Sequence, residues 1–594
     1  MLALAFLVAS ISAANPDEAV CSKVPVFARG AIVAEICAEA PHPGLTIVDL
    51  SDDWAPAIFS ETPEQPQPYR QTFVDLANER LGEGRAWEAA RRDRYFELFG
   101  IFPSVSVVSA RLLDEPRHAC HAVVDDTALR QLRRTLAPWT PSKESEKSAL
   151  AAALVAVGQH LACEGLGKGL GKGLERTAPV HPTFDAALQD ALGSYQRRHM
   201  LPSPGTLDVE TRDSLLTDSR ELDFRTLLRV LRERVVDATG LIEDGSAANA
   251  WEPILGRFID SSEYRRSMRP RPLERGAPDL VDRATEAAAM ALGWTSPPLA
   301  AQAMQSGPPD RVAIRLPRLP AYHAAPASLR AEVDRGDVWT SYPLDGDGHP
   351  LPSPVKNRPT FTLYVRSSDG EIPLVRWPTT IGAWKAEKLD GEHEALRYKA
   401  SPVGRRYWRD LVAAPAWFPP PTTPDRELVR RRADGSWTAD EVGVGPGYRS
   451  AYGLVALIHN RAVATPGGNT EFVDIEIRTH GSGNYRSILR GSSHGCHRLF
   501  NHLALRLGSF VLAHAGFARR GVIDERYGRT IAWKGRILKL RAESRGYRYE
   551  LVPPIPVDVL PGRTVRSKEP PMFRDRATPS APGAQPGPPS VPQT

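Results

Sequence analysis

The sequence predicts an α+β protein built from several domains, and three observations carry that prediction. At 594 residues the chain is too long for one hydrophobic core, so three or four domains are expected. Between about residues 145 and 308 the pattern is helical, Leu188, Leu192 and Tyr195 at i, i+4 and i+7 being its clearest stripe. From Arg311 onward the period shortens to that of strands, in VAIRLP, in FTLYVRS (361–367) and in FVDIEIRTHGS (472–482). Apolar residues make up 42% and charged residues 24%, as in a soluble globular protein. Lysine plus arginine number 75 against 70 aspartates plus glutamates, which excludes the concentrated basic face of a nucleic-acid binder.

The chain opens MLALAFLVASISAANPDEA. The apolar run Leu2 to Ile11 followed by Ser12-Ala13-Ala14 reads as a signal peptide over residues 1–14, directing export to the periplasm or cell envelope. A buried N-terminal helix is the alternative, because the basic n-region is missing. The run is too short to span a bilayer, which takes about 20 apolar residues, and no transmembrane span is expected later in the chain. In an oxidising compartment Cys21, Cys37, Cys120 and Cys163 form two disulfides, with three pairings open. Cys496 is then left over, a free thiol between two histidines.

Residues 15–144 read as a mixed scaffold region with helical stretches such as Ala86 to Leu98. The run GLGKGLGKGL (165–174) is a loop; it lacks the Lys-Ser/Thr ending of a phosphate-binding loop, and no cofactor motif appears elsewhere. In 181–215, Pro202, Pro204 and Gly205 break the first helix, and Asp208 is placed to cap a second that carries Leu215 and Leu216. With Tyr195-Gln196, Leu201-Pro202, Gly205, Leu207-Asp208 and Thr211, residues 145–221 resemble the peptidoglycan-binding-like domain, a three-helix module; Met200 stands where glycine is usual. A helical hairpin without glycan affinity would show the same stripe. Residues 222–309 read as a helical scaffold with solvated arginine faces. Residues 310–560 form the strand-rich domain, with a proline-punctuated insertion at about 382–447 of a length that covers or shapes a site. The tail 561–594 is too rich in Pro, Ser and Gly to bury a core and is expected to be disordered.

In FVDIEIRTHGS the residues Val473, Ile475 and Ile477 take one face, and Asp474, Glu476, Arg478 and His480 the other. His480 closes that strand, ahead of Gly481 and Ser482. Downstream, GSSHGCHRL (491–499) leads into a helix with Leu503, Leu507, Phe510 and Val511 on one face and Asn501 as its expected cap. A nucleophilic thiol needs a base, since its free pKa of about 8.5 leaves little thiolate at neutral pH. It also needs N–H donors facing the oxyanion. His480 or His494 supplies the base, and Gly495 permits a turn that aims its own N–H and that of Cys496 at one point.

This segment resembles the signature of the YkuD-type L,D-transpeptidase family: His480-Gly481, then Ser493-His494-Gly495-Cys496, Arg498 and Asn501. It departs in His497, where an aliphatic residue is usual, and in a slightly short spacer after His480. PAWFPPPTTP and GVGPGYRSAYGLVALIHN are similar to segments of the large YcbB-like branch, whose architecture also matches. The resemblance implies a mainly β, YkuD-like sandwich with a capping insertion as the catalytic domain. It implies Cys496 as nucleophile, His480 as base, and an oxygen at Gly481 or Ser482 orienting that base. Ser493, His494 and Gly495 line the pocket; Arg498 holds the turn or faces a stem carboxylate; Trp417 is a lid candidate. The implied partners are peptidoglycan stem peptides, a tetrapeptide donor and a diaminopimelate amine acceptor. The implied reaction forms 3→3 cross-links through a cysteinyl thioester, and a hydrolase on the same acyl-enzyme or a non-catalytic wall binder are the alternatives. The His and Cys spacing matches no zinc site, so no metal is expected, and cysteine peptidases of other folds place cysteine before histidine. Arg430, Arg431 and Arg432 read as a solvated face and His459 as structural.

Overall fold

The computed structural model describes residues 21–51, 54, 56–59, 105–121, 124–131, 144–166, 184, 186–199, 201, 207–248, 273–323, 326–367, 370–389, 393–431, 435–447, 450–484, 487–488, 491–544 and 546–566. The signal segment 1–14, the stretch Ala86 to Leu98, the 167–174 part of the glycine-lysine run, Pro202 to Gly205, Arg432 and the tail from 567 lie outside them.

A turn at Arg29-Gly30, both residues left-handed at φ 51° and 79°, joins β1 (Lys23–Ala28) to β2 (Ala31–Cys37). A Cys21–Cys37 disulfide ties the hairpin's open end, and Cys163 is disulfide-bonded as well. β3 (Thr46–Asp49) and β4 (Arg311–Ile314) complete a sheet ordered β2-β1-β4-β3. The VAIRLP strand expected to open the C-terminal domain therefore lies inside the N-terminal sheet. Val312, Ala313 and Ile314 are all fully buried, as an interior strand requires.

Helices α1 (Glu144–Cys163), α2 (Ala186–Arg198) and α3 (Val209–Leu215) enclose an apolar cluster of their own, to which Leu188, Leu192 and Tyr195 contribute the expected stripe. Asp208 caps α3, accepting from the Thr211 N–H at 2.9 Å. The Gln196 amide donates to the Thr211 hydroxyl at 2.7 Å, so the motif residues form one buried string.

Helix α4 (Ser219–Thr239) departs from expectation: Arg229, Arg232 and Arg234 are buried, not solvated. Arg232 lies 3.5 Å from Asp282 of α5 (Leu280–Leu292), Glu233 accepts from Arg506 at 2.6 Å, and Arg234 covers the Trp54 ring at 3.7 Å. Buried charges are retained where partners meet them, and Arg506 stands 273 residues from Glu233, beyond any local pattern. Leu227, Val230, Leu231 and Val235 of α4 belong to the same apolar cluster as the C-terminal sheet.

The C-terminal region holds β5 (Ser328–Asp334), β6 (Asp337–Trp339), β7 (Thr360–Ser367), β8 (Gly370–Pro378), β9 (Trp384–Lys388), β10 (Glu394–Tyr398), β11 (Gly404–Ala413), β12 (Val429–Arg431), β13 (Trp437–Ala439), β14 (Val455–Ala464), β15 (Thr470–Ser482), β16 (His497–Phe500), β17 (Phe517–Val522), β18 (Glu525–Trp533), β19 (Arg536–Ser544), β20 (Tyr547–Val559) and β21 (Arg563–Val565). Nine of these form one sheet ordered β16-β15-β14-β11-β20-β5-β7-β8, with β17 also on β20. The described chain is thus a mixed α and β protein with a large sheet-rich region. Among the described residues no helix is long and apolar enough to cross a membrane.

Two expected boundaries change. The insertion placed over 382–447 is not one piece, because β11 crosses the sheet between β14 and β20, burying Trp408, Leu411, Val412 and Ala413. What remains is the β9–β10 hairpin and a cap after Ala414, and the cap shares an apolar cluster with the β18–β19 hairpin through Leu428, Val444, Ile531 and Leu540. Tyr527 and Arg529 of β18 also donate to the carbonyls of Pro419 and Pro420. The tail expected to be disordered from 561 is ordered to 566, since β21 pairs in parallel with β6 and Arg563 donates to Asp337 at 2.9 Å. Arg430 and Arg431 are exposed, as expected.

Candidate active site

Strand β15 carries His480, and β16 begins one residue after Cys496. The two strands pair in parallel, Thr479 opposite His497 and His480 opposite Arg498. That register puts the cysteine and the histidine on neighbouring strands at one wall of a groove of about 1090 Å³, which also has His494, Arg498 and Trp417 in its lining. The expected alternation along β15 holds at the groove, where Phe472, Asp474, Glu476, Arg478 and His480 all face in. It is interrupted on the far side by a bulge opposite His459, with Glu476 in the left-handed region at φ 60°.

The turn is held by its backbone oxygens. The Cys496 carbonyl accepts from the hydroxyls of Ser493 and Thr380, each at 2.7 Å, and the Thr380 oxygen in turn accepts the Arg498 N–H at 3.0 Å. Gly495 sits at φ 113°, and a Cβ there would meet Ile477 at 3.2 Å and the Ala400 carbonyl at 3.3 Å, so glycine is needed. Its N–H is directed to the Ser493 hydroxyl at 3.2 Å. That N–H is engaged within the turn, whereas the Cys496 N–H makes no hydrogen bond among the described residues. Gly481 is also fixed sterically: a Cβ would lie 2.2 Å from the Asn501 amide oxygen. Asn501 does not cap its helix α6 (Asn501–His514), whose N-cap is Phe500. Its oxygen instead accepts from the Leu454 N–H at 3.3 Å, tying α6 to the strand that precedes β15.

His480 is buried, and its Nδ1 lies 2.6 Å from the Gly481 carbonyl. A carbonyl only accepts, so Nδ1 carries the proton and Nε2 the lone pair. Of the two orienting oxygens the family resemblance implies, Gly481 fills the role; the Ser482 hydroxyl accepts from the Asn484 N–H at 3.1 Å. Burial, with Arg498 adding to it, pushes His480 down to about 3, so the ring is neutral at pH 7. Burial raises the Cys496 thiol above its ordinary value, opposed by the Arg478 N–H and by the charges of Arg478 and Arg498, although the side chain keeps part of its surface open. The resting pair is thus thiol and imidazole, not thiolate and imidazolium. The thiol is aimed at the Glu476 carbonyl, 3.9 Å away, and among the described residues no hydrogen bond joins it to His480. Apo sites commonly leave this contact to form with substrate.

His494 stands exposed at the rim, pushed down to about 4 by partial desolvation and then by Lys385 and Arg498. His497 is fully buried and forms no part of the groove lining. Its Nε2 meets the Ser401 hydroxyl at 2.8 Å and its Nδ1 the Thr479 hydroxyl at 3.4 Å, on the same threonine that His459 contacts at 2.8 Å. The inward position usual for an aliphatic residue is kept, with a polar string in its place. His459, bonded also to the Trp408 indole at 3.1 Å, is structural as read. His497→Val is expected to leave Cys496 alkylation by iodoacetamide within about threefold of wild type, while loss of the buried Ser401–His497 hydrogen bond costs about 1–3 kcal/mol in chemical denaturation.

Trp417 lies at the groove, half-buried against the cap's apolar cluster, and its backbone N–H donates to the Val444 carbonyl at 2.8 Å. Two contributors went unread in the sequence. Tyr452, edge-on to His480 at 4.9 Å, walls the imidazole in. Arg478, clamped by Asp474 through two 2.6 Å bonds, presents a cation near the sulfur. Both sit in segments already singled out, GPGYRSAYG and FVDIEIRTHGS, but only the pairing of strands reveals their facing. No protein-family model matches this chain, and no curated protein matches it.

Proposed function

We propose that the protein is a cysteine-dependent peptidoglycan L,D-transpeptidase. The observation that carries this is Cys496, in Ser-His-Gly-Cys, immediately before the strand that pairs with that of His480, whose anchored Nδ1 leaves Nε2 free to take the thiol proton. The sulfur attacks the carbonyl of the diaminopimelate residue at position three of a tetrapeptide stem. His480 accepts the thiol proton and returns it to the departing D-alanine amine as the amide C–N bond breaks. The Cys496 N–H receives the oxyanion, and Arg478 and Arg498 favour negative charge at the sulfur. The amine of a second stem then attacks the thioester carbonyl, losing its proton to His480; the C–S bond breaks, that proton returns to the Cys496 sulfur, and a 3→3 cross-link is left, while water in place of the amine gives hydrolysis.

Disulfides at Cys21–Cys37 and Cys163 support placement outside the cytoplasm. The α1–α3 module, resembling the peptidoglycan-binding-like domain, supports a wall substrate. Incubation with disaccharide-tetrapeptide muropeptides, followed by mass spectrometry, is expected to yield dimers linked between two third-position residues with release of D-alanine. Tripeptide products without dimers would assign hydrolysis, and unchanged substrate would overturn the reading.

A further inference from the structure

The chain as a whole is nearly balanced, at a net charge of +5, but the β18–β19 hairpin is not. From Arg526 to Arg541 every charged residue is a cation: Arg526, Arg529, Lys534, Arg536, Lys539 and Arg541. Alternation divides the hairpin into two faces. The inner face, with Tyr527, Ile531, Leu538 and Leu540, packs on the cap. Arg529 goes with it and is neutralised there by Asp425 at 2.7 Å. On the outer face Gly528 is opposite Arg541, Thr530 opposite Lys539, and Ala532 opposite Ile537. The turn, left-handed at Lys534 and Gly535 with φ 47° and 74°, adds Lys534 and Arg536 at the tip. Lys534, Arg536, Lys539 and Arg541 are all exposed, and among the described residues no carboxylate lies within ion-pair distance of them.

Charge on an exposed strand pair prevents edge-to-edge pairing, but either sign serves that end. Four unpaired cations of one sign concentrate a positive field instead, which calls for an anionic partner. The apolar side chains beside them narrow the choice. Ile537 is 68% exposed, the most of any large apolar side chain among the described residues, and adjoins Arg536. Lys534 stands over two half-buried indoles, 4.8 Å from the ring centre of Trp437 and 6.0 Å from that of Trp533. A soluble polyanion would meet the cations and leave Ile537 in water. A bilayer surface gives the cations anionic headgroups, with an apolar layer just beneath for isoleucine and indole.

We propose that the outer face and tip of the β18–β19 hairpin dock on an anionic lipid bilayer. Lys534, Arg536, Ile537, Lys539 and Arg541 are absent from the groove lining, so docking through them leaves Cys496 open to its substrate. The surface stands independently of the chemistry at that cysteine.

The test is flotation of the full chain with vesicles of phosphatidylcholine, either alone or with about one-third phosphatidylglycerol. At low salt wild type is expected to partition at least about tenfold more strongly onto the anionic vesicles, and to lose most of that preference at about 0.5 M salt. Lys539→Gln combined with Arg541→Gln should weaken partition about 25-fold, each charge near the surface being worth about fivefold. Ile537→Asn, which leaves every charge in place, should weaken it about three- to tenfold. Arg315→Gln with Arg318→Gln, exposed cations just beyond β4, should leave it within about twofold. Equal partition of wild type onto both vesicles would overturn the proposal whatever the variants do, as would an anionic preference that survives the loss of Lys539 and Arg541. A preference that Ile537→Asn leaves unchanged would assign a soluble polyanion and overturn the bilayer. Iodoacetamide should alkylate Cys496 at the same rate with and without anionic vesicles; protection would place the lipid in the groove and overturn the assignment to the hairpin.

Discussion

Cys496→Ala is expected to abolish turnover of stem-peptide donors, a loss on the order of 10^4-fold or more, because the covalent intermediate cannot form without its sulfur. The other described cysteines with known state, Cys21, Cys37 and Cys163, are in disulfides and offer no substitute thiol. The substitution is also expected to be mild for the fold. The turn is held by the Cys496 carbonyl, through Ser493 and Thr380, while the side chain makes only a 3.9 Å contact to the Glu476 carbonyl. A cost of about 1 kcal/mol or less follows, so a cooperative thermal transition near that of wild type should accompany the dead enzyme. Residual turnover within tenfold of wild type would place the chemistry elsewhere.

His480→Ala is expected to lower the acylation rate by about 10^2–10^4-fold, the usual weight of a positioned general base. His494→Ala, removing a rim group, should cost less than about tenfold. The pH dependence follows from the two directions of shift. His480 is held at about 3, so it is neutral across the working range and supplies no imidazolium to stabilise a resting thiolate. The thiol lies above its ordinary value, so the thiolate fraction grows about tenfold per pH unit up to that pKa. Alkylation of wild type by iodoacetamide should therefore climb through pH 9 without a plateau between about pH 5 and 8. A plateau there would mean a preformed thiolate–imidazolium pair and would contradict the resting state derived above.

The strand that carries His480, the turn at Cys496 and the helix after it were legible because short-range chemistry and alternation decide them. Gly481 and Gly495 stand where the backbone tolerates no Cβ, Asp208 caps its helix, and His480 lies near the end of a strand whose even-numbered residues from 472 to 480 line the groove. What stayed hidden depends on partners far along the chain. The Arg409-Asp410 pair, at the register shift in β11, breaks the apolar pattern and hides an interior strand inside a proline-rich stretch. Arg232 of α4 looks like part of a solvated face until Asp282 is seen to meet it, and Glu233 beside it until Arg506 does. His497 reads only as a departure from an aliphatic position until Ser401 and Thr479 are found around it. Asn501 has the chemistry of a cap, but the Leu454 N–H reaches it first.

The central claim is that one sulfur, that of Cys496, accepts an acyl group inside this groove. Intact-mass measurement after exposure to a carbapenem, with the adduct located by peptide mapping, tests it most directly. The account predicts a single adduct on Cys496 in wild type, formed far more slowly in His480→Ala and absent in Cys496→Ala. An unmodified wild-type protein, or an adduct that persists when Cys496 is replaced, would contradict it.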